Sequence, residues 1–194
     1  MNLVKDDFYC GAFLSYLLNN NIVPALFEEK EDNSRRIYDF STDNADYRTY
    51  VKSSDKPSSP SNDRKKHDIW TFPFTENQIE ELKSLKCNTK NKQFLFVFVC
   101  GQVKLSQSKI AVIPSEEVFN CIDLNRHDKY KFQSIKIRLV KGHRNFDIYG
   151  TARSDKKNGK DNTLKIKCNN RTTKLQGYIF ENIYIHIDKE KSII

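Results

Sequence analysis

Glycine is scarce in this chain of 194 residues, with six in all, and each stands singly. No glycine-rich phosphate loop or dinucleotide fingerprint can be built from them, so kinase, P-loop and Rossmann readings have no support. The five cysteines (Cys10, Cys87, Cys100, Cys121 and Cys168) are odd in number and widely spaced. No C-x-x-C occurs, and no Cys/His group has zinc-ligand spacing. The four histidines (His67, His127, His143 and His186) have no partner at nucleophile spacing, which leaves a hydrolase triad without footing. No apolar run approaches the ~18 residues of a membrane span. Asp6 and Asp7 stand where a signal peptide would carry basic residues. The expectation is a reduced, cytoplasmic protein without a membrane partner.

What the chain does hold is aromatic. Thirteen Phe, nine Tyr and one Trp sit in a sequence that is 38% apolar, enough for a sheet-and-helix core in one domain. The net charge of +8 is unevenly placed. Residues 1–50 carry five basic and nine acidic side chains, whereas every later quarter is basic. One phosphate-facing surface would give this pattern, and so would lysine-rich codon usage.

Periodicity predicts a helix over 7–20, with Phe8, Ala12, Phe13, Tyr16 and Leu17 on its buried face. Strands follow at 24–31, 35–42 and 47–54; the last places Tyr47, Thr49 and Val51 on one face and Arg48, Tyr50 and Lys52 on the other. Residues 53–68 are rich in Ser, Pro and charge and read as a flexible basic loop. In 70–74, Trp70, Phe72 and Phe74 point inward, and Pro73 marks an edge strand. Thr75 and Gln78 form a capping box for a helix at 76–86. The uninterrupted apolar run 93–100 predicts a central strand covered on both faces. Its hairpin partner is 109–113, and Ser115 caps a short helix through Ile122. Further strands are expected near 134–140, 146–151, 163–168 and 183–187. The fold class is α+β: a mixed sheet flanked by helices over residues 1–130, with a C-terminal antiparallel extension over 131–194, in the same domain or as a small lobe.

Two constellations carry chemistry. The first is the order helix, three strands, helix, strand, which resembles a degenerate PD-(D/E)XK, restriction-endonuclease-like core. That resemblance implies a catalytic pair, Asp39 and Lys52, with Asp39, Asp43 and Asp46 holding Mg²⁺. Such a metal lowers the pKa of its bound water, while the lysine orients the nucleophile. Tyr50 stands where that fold keeps its second acid. The bland alternative is a polar hairpin loop and a solvated lysine. The second constellation is basic. Lys136, Arg138, Lys165 and Lys167 alternate outward on two strands, with Arg153, Lys156, Lys157 and Lys160 at the margin and Arg64, Lys65 and Lys66 in the loop. This face could track phosphates, with Tyr149 or Tyr178 stacking on bases, or it could be an ordinary solvated sheet face.

Tyr50-Val51-Lys52-Ser53-Ser54, Trp70-Thr71-Phe72-Pro73-Phe74 and Val99-Cys100-Gly101 resemble the Y-x-K-x-S, W-x-F-x-F and V-C-G motifs of a family of small uncharacterised bacterial proteins. The likeness spans about residues 36–150 and implies a shared fold. The functional expectation is a non-catalytic, cytoplasmic accessory subunit of a nucleic-acid-associated bacterial system, such as antiviral defence or a mobile element. It would have protein partners and no cofactor. The alternative is a Mg²⁺-dependent nuclease acting on DNA or RNA.

Overall fold

The computed structural model describes residues 5–26, 35–58, 67–89, 91–125 and 132–167. Helix α1 (Lys5–Asn19) leads into a short strand β1 (Ala25–Leu26) and then the hairpin β2 (Arg36–Ser41) and β3 (Asp46–Ser54). The remainder of the strand expected over 24–31 lies outside the described residues. Strand β4 (His67–Phe74), helix α2 (Glu76–Asn88) and strand β5 (Gln93–Cys100) follow. Next come β6 (Lys109–Pro114) and the short helix α3 (Ser115–Phe119). The strands β7 (Gln133–Val140), β8 (Asn145–Gly150), β9 (Lys156–Lys157), β10 (Lys160–Asp161) and β11 (Leu164–Lys167) close the described chain. The strand expected at 183–187 lies outside it.

Two larger sheets form. The first has the order β1-β2-β3-β5-β6; β3 and β5 run parallel and the other pairs antiparallel, so it is mixed. A parallel pair cannot be joined by a tight turn, and β4 with α2 supplies the crossover. The second sheet is antiparallel, in the order β11-β8-β7-β4, with β4 at its edge as Pro73 requires. The fold is therefore α+β.

The layers follow from burial. On one face of the mixed sheet, Tyr38, Tyr47, Val51, Val97 and Val112 pack with Tyr9, Phe13 and Leu17 of α1. On the other, Tyr50, Phe96, Phe98 and Ile113 share a core with α2, Val118 and the inner face of the second sheet. Phe72 of β4 meets Phe98 of β5 with ring centroids 4.7 Å apart. The strands beyond residue 131 thus pair with β4 and share a core with β5. Burial on both faces explains why β5 is apolar without interruption.

Two expectations need correction. The buried stripe of α1 is Tyr9, Cys10, Phe13 and Leu17, whereas Phe8 is 62% exposed and Ala12 is exposed. The helix is apolar around most of its circumference, so period alone cannot choose between neighbouring stripes. Ser115 is also not a cap: it is a buried first residue of α3, Pro114 holds the cap position without a side-chain bond, and the helix ends at Phe119. By contrast, the Thr75 capping box forms as expected. The Gln78 amide donates to Thr75 Oγ1 and the Thr75 amide to Gln78 Oε1, each at 3.3 Å.

The three sequence motifs converge on Gly101. Its amide donates to the Ser54 carbonyl at 2.7 Å, and its own carbonyl accepts the Trp70 indole N–H at 2.7 Å. A Cβ there would lie 2.5 Å from the Tyr9 hydroxyl and 2.6 and 2.7 Å from the Asp55 and Ser54 carbonyl oxygens. Only glycine fits that approach.

Candidate nucleic-acid interface

Strand pairing decides the fate of the acid–lysine skeleton. Asp39 faces Arg48 across the hairpin, and Lys52 lies four residues further along β3. At ~3.3 Å per residue this separates the two backbone positions by roughly 13 Å. Asp39 instead receives both arms of the Arg48 guanidinium at 2.8 Å each and Lys92 Nζ at 2.7 Å. Burial alone would raise its pKa, but the hydrogen bonds and charges of Arg48 and Lys92 outweigh it and hold the carboxyl below its ordinary value. Asp43 is exposed in the turn, and Asp46 accepts a 2.5 Å hydrogen bond from Ser41 Oγ. Lys52 is 4% exposed, donates to Gln78 Oε1 at 2.8 Å and lies 4.9 Å from the Phe74 ring centroid. It therefore ties β3 to the first turn of α2. Among the described residues, no group of three His, Cys, Asp or Glu side chains could hold a metal ion.

The basic constellation is partly assembled. On the outer face of the second sheet, registered pairs set Thr71, Lys136 and Tyr149 in one row and Ile69, Arg138, Asp147 and Lys165 in the next. Three acids that sequence reasoning missed interleave with the cations. Asp147 accepts from Arg138 at 3.0 Å and from Lys165 at 2.6 Å, Asp161 accepts from Lys165 at 2.7 Å, and Asp155 lies 3.9 Å from Arg138. Lys165 and Thr163 hold the Asp161 carboxyl well below the usual carboxylate range. Arg138 and Lys165 are thereby largely satisfied within the protein. Lys136, in contrast, is exposed and within ion-pair distance of no acid among the described residues, with its Nζ 6.0 Å from the Tyr149 ring centroid.

The margin is a built element. Lys156-Lys157 and Lys160-Asp161 form the hairpin β9–β10 across Asn158 (φ 53°) and Gly159 (φ 75°). Positive φ at both central residues is the two-residue turn that Asn-Gly favours, and that dipeptide was the legible signal for it. Lys157 sits directly opposite Lys160, and Lys156, Lys157 and Lys160 are all exposed. Among the described residues none of the three has an acid within ion-pair distance. Arg153 turns inward, donating to the Asn162 carbonyl at 2.5 Å. The side chain of Lys167 and all of Arg64, Lys65, Lys66 and Tyr178 lie outside the described residues. A further exposed group, Lys141, His143 and Arg144, occupies the β7–β8 turn. No helix among the described residues is long and apolar enough to cross a membrane. No protein-family model, no curated protein and no solved structure matches the chain.

Proposed function

We propose that this is a cytoplasmic, non-catalytic nucleic-acid-binding protein that engages phosphate backbones through the outer face of the β11-β8-β7-β4 sheet and the lysine hairpin at its margin. The observation that carries this reading is Lys157 facing Lys160. Like charges directly opposite on paired strands are destabilising, and a polyanion across the hairpin would relieve that repulsion. The test is fluorescence anisotropy with labelled nucleic acid at several salt concentrations, comparing the wild type with Lys156→Ala/Lys157→Ala/Lys160→Ala. Binding should weaken steeply with salt, and the triple variant should lower the log–log slope by roughly 2 to 3. Salt-independent binding, or a variant with unchanged slope, counts against the interface.

The accessory role in a bacterial defence or mobile-element assembly rests on the motif resemblance. Co-purification from the native source tests it, and a chain that elutes alone as a monomer would count against it. The Mg²⁺-dependent nuclease is the rival reading, and the separation of Asp39 from Lys52 speaks against it. Its test is plasmid cleavage in Mg²⁺, Mn²⁺ and EDTA, beside Asp39→Ala and Lys52→Ala. Cation-dependent nicking lost in both variants would revive the enzyme.

A further inference from the structure

The outer sheet face divides into two parts with different chemistry. One row, Arg138, Asp147 and Lys165, is occupied by its own ion pairs. The adjoining row, Thr71, Lys136 and Tyr149, holds an exposed threonine, an exposed lysine and a partly buried tyrosine in register across three strands. Two cations, which a base would replace on stacking, lie over the ring, with Lys136 Nζ 6.0 Å and Arg138 Cζ 5.9 Å from its centroid. Beyond this row, towards the end of β4 and the start of β7, Pro73 pairs with Ser134, whose amide donates to Thr151 Oγ1 at 2.8 Å. Around Tyr149 the two cations are accompanied by Asp155 and Asp147, which, after burial, also raise the pKa of its phenol. The lysine hairpin is anchored beside it, because Asp155 and Asp161 at its base reach Arg138 and Lys165.

We propose that this row takes an unpaired nucleotide, with the base stacked on Tyr149 and the flanking phosphates held by Lys136 and the hairpin lysines, so that the ligand class is single-stranded nucleic acid. This rests on the nucleic-acid reading above. A duplex presents phosphates to the lysines but keeps its base faces stacked inside, so it can use the charges and cannot use the ring. A single strand uses both. The stacking contribution carries little salt dependence, whereas the phosphate contribution carries nearly all of it. The two parts of the site are therefore separable in one titration series.

The experiment uses the full chain and labelled single-stranded DNA, single-stranded RNA and duplex DNA of equal length, at several salt concentrations. The single strands should bind more tightly than the duplex. Tyr149→Ala should weaken single-strand binding by about tenfold and leave the salt slope and duplex binding unchanged. Tyr149→Phe, which keeps the ring, should bind as the wild type does. On the unaltered protein, irradiation of a bound 5-iodouracil-substituted strand should cross-link to Tyr149, located by mass spectrometry. The two single-strand arms tell whether DNA or RNA is preferred. A duplex bound as tightly as the single strands, a Tyr149→Ala protein that is folded and unimpaired, or a cross-link elsewhere overturns the stacking site while the lysine interface stands. Absence of binding to all three nucleic acids overturns both.

Discussion

Asp39 shows how a residue with the right chemistry for one task can be engaged in another. Its carboxylate, 16% exposed, closes a fork with Arg48, 8% exposed, and takes Lys92 from the start of β5 as well. Removing it takes away the carboxylate that both arms of the buried Arg48 guanidinium bind, and Asp39→Ala should cost about 3 kcal/mol in urea unfolding at neutral pH. The folded carboxyl titrates below its unfolded value of about 3.9. Its stabilisation is therefore fully present above that value and is lost as pH falls through the folded pKa. Stability curves of the wild type and Asp39→Asn should separate at pH 7 and converge in acid; a constant gap would contradict this. Gly101 gives a second test at the same scale. Gly101→Ala should destabilise by roughly 2–3 kcal/mol, because two of the three atoms its Cβ would meet are backbone oxygens. Adding Tyr9→Phe removes only the third, so the double variant should recover little in thermal melts.

At the scale of elements, local chemistry and tertiary packing contributed unequally. The capping box of α2 was legible because Thr75 and Gln78 satisfy one another without help from elsewhere, and Thr75→Ala should cost about 1 kcal/mol. The β9–β10 hairpin closes over a two-residue turn with the left-handed Gly159 at its centre, and ion pairs of Asp155 and Asp161 tie down its base. Gly159→Ala should loosen amide exchange protection within 155–162 and weaken the proposed nucleic-acid binding several-fold, while the melting temperature stays within a degree or so, since the hairpin lies outside both cores. A large drop in melting temperature would show that the hairpin supports the sheet. The stripe of α1 was misread for the opposite reason. Phe8, Tyr9, Ala12 and Phe13 all fit a helical period, and only the mixed sheet beneath selects Tyr9 and Phe13.

For the whole molecule, the larger of the two cores runs without a break from β2 through β5 and α2 to β8, and the mixed sheet joins it to the other. Urea unfolding followed by Trp70 fluorescence and by far-ultraviolet circular dichroism should therefore give one coincident transition. Trp70 is fully buried between the motifs, so its signal reports on both sheets. Two separated transitions would mean that the strands beyond residue 131 fold apart from the rest. Charge is also organised at this scale. The acid-rich first quarter supplies α1 and the β2–β3 hairpin, while the outer face of the second sheet and its lysine hairpin come from the basic remainder.

The sequence by itself determined the kinds and order of the longer elements among the described residues, the two-sided burial of β5, the edge position of β4 and the helix cap of α2. Each of these follows from a local period or a local hydrogen-bond pattern. Tertiary structure alone decided which residues meet. The register of β2 on β3 places Asp39 beside Arg48 and away from Lys52, because cross-strand neighbours depend on how a hairpin closes and not on residue type. The same rule threads Asp147 and Asp161 between the outward cations, so that alternating basic residues resolve into paired charges on one row and, on the next, a lysine, Lys136, with no acid beside it among the described residues. Spacing along the chain records which face a side chain takes, and only the pairing of distant strands records what stands opposite it.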